Sequence, residues 1–133
     1  KKYSGIIALK DDTAVYCGPG EYYGLAYQAK FNANRVTFAQ AQSYCSGLNL
    51  AGRRWRLSTT YELAAVDEQN GSTMYSQRGI IPGQPQDIFW TSVPAPDDPG
   101  SYLLWDFPNQ ESHVATPDQP WRVLCTSGTG TGN

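Results

Sequence analysis

Apolar positions change their spacing along the chain, from short alternating runs to a helical repeat and back again. Gly5-Ile6-Ile7-Ala8-Leu9 is a short apolar run, Lys10-Asp11-Asp12 reads as a turn, and Ala14-Val15-Tyr16-Cys17 forms a second strand candidate broken by Gly18-Pro19-Gly20. Tyr22, Tyr23, Leu25, Tyr27 and Phe31 then give an aromatic-rich extended stretch with partial alternation. From Thr37 to Leu48 the period becomes helical. Phe38, Ala41, Tyr44, Cys45 and Leu48 share one face, and Gln40, Gln42 and Ser43 lie on the other. Thr37 with Gln40 three residues on completes a capping box, and Gly47 weakens the far end. A second helix is predicted from near Thr59 or Thr60. Thr59 and Glu62 have capping-box spacing, Leu63 and Val66 form an apolar stripe, and Asn70-Gly71 is a stop. Between the helices, Trp55-Arg56-Leu57 is a short extended connector whose Trp55 and Leu57 share a core face.

From Ser72 to Gln86 there is no periodicity, which predicts a long surface loop of the kind that is usually functional or mobile. Strands are predicted over Ile88–Val93, Ser101–Phe107, Ser112–Ala115 and Trp121–Thr126. The Pro94–Gly100 connection is too long and proline-rich for a two-residue hairpin, whereas Pro108-Asn109-Gln110 supports a tight turn. Trp90, flanked by Ile88 and Phe89, is a core candidate. In the next strand Leu103, Trp105 and Phe107 alternate with Tyr102, Leu104 and Asp106, and the Trp105 face is expected inward. The reading is an α+β fold with two helices and small, mostly antiparallel sheets. Residues 1–126 form a single domain, extended over 1–35, and 127–133 form a flexible tail. An all-β sandwich is the alternative, disfavoured by the two capping boxes.

A chain of 133 residues can bury one core but not two. Charged residues at 17%, with Gly 13, Pro 9 and Tyr 9, resemble loop-rich exported proteins more than helical cytosolic ones. The net charge of -2 supplies no basic field for nucleic acid or an anionic membrane. No apolar run reaches the roughly 20 residues of a membrane helix. No signal peptide is seen, and the first residues read as the start of a piece cut from a longer chain, so export is left open. Cys17, Cys45 and Cys125 make an odd number: one pair plus one leftover, with three pairings open, or three reduced thiols in a cytosolic protein. A zinc site is disfavoured, because no Cys-x-x-Cys occurs and His113 is the only histidine.

Candidate chemistry is sparse. No nucleophile or carboxylate stands at informative spacing from His113, and Cys17 has no activating neighbour in sequence. Ser58, Thr59 and Thr60 form a hydroxyl cluster that helix capping accounts for. Asp97-Asp98, with Asp87, Asp106 and Glu111 nearby in sequence, can offer calcium oxygen ligands, but at a spacing that matches no calcium loop. The expectation is therefore a non-enzymatic domain without a cofactor, calcium being possible but backed by no motif. Tyr75, Arg78 and Tyr102, with the prolines of the Pro94–Pro99 loop, are the expected exposed contacts.

Phe38-Ala-Gln-Ala-Gln-Ser-Tyr-Cys45, Trp55-Arg-Leu-Ser-Thr-Thr-Tyr-Glu-Leu63, Phe89-Trp90-Thr91-Ser92 and Arg122-Val-Leu-Cys125 together resemble bacterial C-type-lectin-like domains. The match runs from about Val36 to Thr126 and is carried by the first helix, the Trp-Arg-Leu signature and the closing cysteine strand. The resemblance implies that Cys45 pairs with Cys125, since the first helix and last strand must meet, and that Cys17 stays unpaired within the domain. It further implies the tip domain of an intimin- or invasin-type adhesin or a pilus, at the bacterial surface or outer membrane, binding a host or cell-surface protein or glycan. A non-adhesive structural or assembly domain of an exported or pilus protein is the alternative, with an enzyme the last one. Ser58 stands where the pattern has proline. The calcium motifs of sugar-binding relatives are missing: no Glu-Pro-Asn or Gln-Pro-Asp in the long loop and no Trp-Asn-Asp on the penultimate strand. Because such folds present their long loops together, the resemblance implies a recognition surface built from Ser72–Gln86 and Pro94–Gly100. Tyr75, Arg78, Gln84, Gln86, Asp97 and Asp98 offer the contacts.

Overall fold

Two capped helices set the frame. In the computed structural model, which describes residues 6–8, 12–17, 20–28, 32–70 and 88–129, α1 spans Phe38–Ser46 and α2 spans Thr60–Asn70. Thr37 caps α1 as the sequence predicts. Its hydroxyl accepts from the Gln40 N–H at 3.4 Å, and Gln40 Oε1 accepts from the Thr37 N–H at 3.0 Å. Thr59 and Glu62 repeat the arrangement on α2, at 3.1 Å and 2.8 Å. Each box satisfies two backbone donors that a helix start leaves without intrahelical partners. α1 buries Phe38, Ala41 and Cys45, and α2 buries Leu63, Ala65 and Val66.

The strands form two five-stranded sheets among the described residues. Sheet one runs β1 (Ile6–Ala8), β2 (Thr13–Tyr16), β3 (Ala26–Gln28), β10 (Cys125–Ser127), β5 (Arg56–Leu57), antiparallel throughout. Sheet two runs β4 (Asn32–Val36), β9 (Trp121–Val123), β6 (Ile88–Pro94), β7 (Tyr102–Asp106), β8 (Glu111–Ala115). Its one parallel pairing joins β6 to β9, with Phe89 opposite Arg122. The architecture is α+β with mixed sheets.

The middle of sheet two is covered on both faces, so Phe89, Trp90 and Thr91, successive residues of β6, are all buried. Phe89 joins Leu63, Val66 and Phe107 on the α2 side, and Trp90 joins Phe38, Ala41 and Cys45 on the α1 side. This corrects the expectation for β7. Leu104 and Asp106 are buried; of the face expected inward, Phe107 is buried but Leu103 and Trp105 are half-buried, Trp105 against the α2-side cluster. A strand between two helices gives its larger residues no exclusive claim on the better-filled side.

Three further boundaries differ from the sequence reading. The predicted strand Trp121–Thr126 is two strands in different sheets, and the chain crosses between them at the buried Leu124. The short apolar run Val123-Leu124-Cys125 carries no period that marks such a switch. The aromatic stretch after Gly20 is a turn over 20–24 before β3, with the Gly24 N–H donating to Tyr16 O at 2.8 Å and Gly24 at φ 87°. Ser127, assigned to the tail by sequence, is the last residue of β10. The predicted loop Ser72–Gln86 lies outside the described residues.

Cys45 of α1 is bonded to Cys125 of β10, closing a separation of 80 residues with Cα atoms 5.5 Å apart, and Cys17 is free. By chain entropy a loop of that length is worth about 4–5 kcal/mol. No helix among the described residues is long and apolar enough to cross a membrane.

Candidate functional site

Of the expected contact residues, Tyr75, Arg78, Gln84 and Gln86 lie outside the described residues. Asp97 and Asp98 sit on the exposed loop joining β6 to β7. That loop is closed by Ala95 N–H to Ser101 O at 2.9 Å and, inside it, Ser101 N–H to Asp98 O at 3.0 Å. The Ser101 hydroxyl donates to Asp98 Oδ2 at 2.8 Å, so this carboxylate holds its own turn while Asp97 faces solvent. Tyr102 is a packing residue beneath the loop. Half-buried, its ring stacks on Phe38 with centroids 3.7 Å apart and planes 12° from parallel.

β6 separates the two loop segments. The chain enters this seven-residue strand at Ile88, opposite Asp106, and leaves it at Pro94, opposite Tyr102. At about 3.3 Å per residue the two ends stand roughly 20 Å apart. The connection from α2 therefore reaches sheet two at one end, and the Asp97-Asp98 loop projects from the other.

At the Ile88 end lies a polar group that sequence spacing conceals. The β7–β8 hairpin sets Asp106 opposite Glu111 and Leu104 opposite His113, which makes Asp106 and His113 diagonal neighbours. His113 Nε2 lies 2.8 Å from Asp106 Oδ2 and 3.9 Å from Glu111 Oε1. Asn109 holds the same carboxylate from the turn, its N–H donating to Oδ1 at 3.1 Å and its Nδ2 to Oδ2 at 2.9 Å. Burial pushes the Asp106 carboxyl up, but hydrogen bonds from the Asn109 side chain, His113 and the Asn109 backbone outweigh it and hold the group below its ordinary 3.8. Asp106 is thus a carboxylate at neutral pH although only 3% exposed. His113 does have a carboxylate partner, contrary to the spacing argument. The signal available in sequence was the Pro108-Asn109-Gln110 turn combined with alternation on either side. Among the described residues His113 hydrogen-bonds to no hydroxyl or thiol.

The Trp-Arg-Leu signature forms a clamp. Arg56 Nη1 and Nη2 reach Glu62 Oε1 and Oε2 at 2.8 Å and 2.7 Å, and Nη2 also donates to Gly128 O at 2.7 Å. Glu62 raises the Arg56 pKa, chiefly by this hydrogen bonding. The neighbouring hydroxyls are not all caps. Thr59 caps α2, but Ser58 is buried, donates to Leu124 O at 2.8 Å and contacts the Thr126 hydroxyl. Ser58 therefore ties the loop before α2 to the point where the chain changes sheets. Tyr61, at 68% exposed, is the most open large aromatic among the described residues and was not singled out by sequence.

No curated protein matches the chain. A closed disulfide in a small core fits an extracellular or surface protein. A family model described as the Lcl C-terminal domain matches residues 20–127, a span that takes in both helices, the disulfide, both long connections and the Asp106–His113 hairpin. By that match the chain belongs to the Lcl C-terminal domain family.

Proposed function

We propose that this chain is a C-type-lectin-like ligand-binding domain near the exposed end of a longer bacterial surface adhesin. It attaches the cell to a host or cell-surface protein or glycan and catalyses no reaction. The observation that carries this reading is a scaffold closed by the Cys45–Cys125 bond and two cross-sheet cores, with the exposed Pro96–Gly100 segment projecting from one end. Rigid scaffolds bearing irregular loops are the usual design for recognition. Tyr75, Arg78, Gln84 and Gln86 on the connection after α2, and Asp97 and Asp98 on the hairpin loop, supply aromatic, cationic and acceptor groups for a polar partner. We further propose that this recognition needs no calcium, since the sugar-binding calcium triplets are missing from the sequence.

Glycan-array and receptor-panel binding, with and without chelator, tests the reading on three forms: the parent domain, a Tyr75→Ala, Arg78→Ala double variant and an Asp97→Ala, Asp98→Asn double variant. Loss in one folded variant and retention in the other assigns recognition to one end of sheet two. Undiminished binding by both, or no binding by the parent, overturns the assignment. Chelator-sensitive binding overturns the calcium-independent reading.

A further inference from the structure

We propose that Asp106, Glu111 and His113 form a binding site for a divalent transition-metal ion of the zinc class. The site uses none of the contact residues proposed above and does not depend on that reading. One ligand atom from each side chain lies within 4.8 Å of the other two. In a tetrahedral zinc site, bonds of about 2.0–2.1 Å place neighbouring ligands roughly 3.3 Å apart. The His113–Asp106 and His113–Glu111 separations, 2.8 Å and 3.9 Å, bracket that value. The Glu111 side chain, 58% exposed, has the freedom to close the remaining gap.

A second observation is independent of the spacing. Asp106 is a buried carboxylate whose ion-pair partner among the described residues is His113, charged only when protonated. No lysine or arginine among those residues pairs with it, so its charge meets no permanent cation there. Hydrogen bonds from Asn109 and His113 stabilise the anion, and a divalent ion would add the formal positive charge that the Asn109 amides do not carry. The donor set selects the metal. Calcium takes six to eight oxygens, whereas one imidazole nitrogen with two carboxylates and an open outer side suits zinc-like ions. Asn109 already orients the Asp106 carboxylate through two hydrogen bonds, the kind of outer support that metal-binding carboxylates carry. Glu111 and His113 face solvent and provide the entry path. On binding, Nε2 of the ring bonds the metal, its hydrogen is carried on Nδ1, and the direct bond to Asp106 gives way to a shared cation. The zinc expectation from sequence considered a closed, cysteine-rich site. An open site with three protein ligands needs neither a Cys-x-x-Cys nor a second histidine.

The test is calorimetric titration and thermal unfolding with zinc chloride and calcium chloride, in a Cys17→Ser background that removes the free thiol. One zinc per chain is expected, with a melting temperature that rises with zinc concentration and does not respond to equal calcium. His113→Ala and Glu111→Gln are each expected to weaken zinc at least about tenfold, and Asn109→Ala by about ten- to a hundredfold. Cobalt(II) provides a spectroscopic check: its visible absorption on binding should vanish in His113→Ala. Glu111 is exposed, so Glu111→Gln leaves the metal-free fold as a reference. The proposal is overturned by absence of saturable zinc binding, by binding undiminished in the His113→Ala, Glu111→Gln double variant, or by calcium matching zinc.

Discussion

Glu62 concentrates two functions in one carboxylate. It completes the cap of α2 and receives both arms of Arg56, while the backbone carbonyl of this almost wholly buried residue accepts the Tyr27 hydroxyl at 3.0 Å. Sequence spacing showed the capping box but not the fork, because Arg56 reaches Glu62 only after β5 has turned into α2. The Arg56 side chain is 40% exposed, so solvent screens the pair and the full penalty of a broken buried ion pair does not apply. Glu62→Ala, losing cap and fork together, is expected to destabilise by about 2–4 kcal/mol. Glu62→Gln keeps an oxygen for the Thr59 N–H and is expected to lose about 1–2 kcal/mol. Urea unfolding of the two variants measures the split, and equal losses would assign all the energy to the ion pair. Cys17 makes a different residue-scale case. Burial pushes its thiol above the ordinary 9.0, so the reactive thiolate is scarce at neutral pH. Labelling by a disulfide reagent is expected to be slow at pH 7 and to accelerate as pH rises past 9.0, because the raised pKa delays deprotonation. Fast labelling at pH 7 would mean an activated thiol.

Elements with one period and two caps were legible. Both helices start where Thr37 and Thr59 put them, because capping is decided within four residues of chain. The central strands of sheet two were less so, because clusters cover both of their faces and alternation stops separating inside from outside. β7 illustrates this, with Leu104 buried on the α1 side and Trp105 half-buried on the α2 side. Trp90 and Trp105 should therefore respond differently to truncation. Trp90 is fully buried, donates to Val36 O at 2.7 Å and packs edge-on against Phe38 at 5.4 Å. Trp90→Ala is expected to cost about 3–5 kcal/mol, the range for a buried large aromatic. Trp105→Ala is expected to cost about half as much, since its side chain is only partly buried against the α2-side cluster. Chemical denaturation of both variants checks the ranking. A larger loss at Trp105 would restore the inward face that alternation alone predicts. The Asp106–His113 contact escaped the sequence for a related reason: it depends on hairpin register, which the Pro108-Asn109-Gln110 turn sets but does not announce.

At the scale of the molecule, the order of helices and closing strand and the Cys45–Cys125 bond were legible once the resemblance was drawn. The crossing of the chain between sheets was not. That crossing explains what the disulfide holds. Cys125 follows Leu124, the residue at which the chain leaves β9 of sheet two for β10 of sheet one. Gln28 reinforces the same point, accepting from the Cys125 N–H at 2.7 Å and donating to the Tyr44 hydroxyl on α1 at 3.1 Å. The bond and this glutamine together pin α1 to the crossover. The Cys45→Ser, Cys125→Ser double variant is expected to lose about 4–5 kcal/mol by the chain-entropy estimate for a separation of 80 residues. The loss should also be uneven. Hydrogen exchange is expected to show protection falling first in α1, β9 and β10, while the β7–β8 hairpin, held by its own turn and the Asp106 hydrogen bonds, keeps its protection longer. Uniform loss across both sheets would mean that the bond acts on the unfolded chain alone and does not hold the crossover in the folded one.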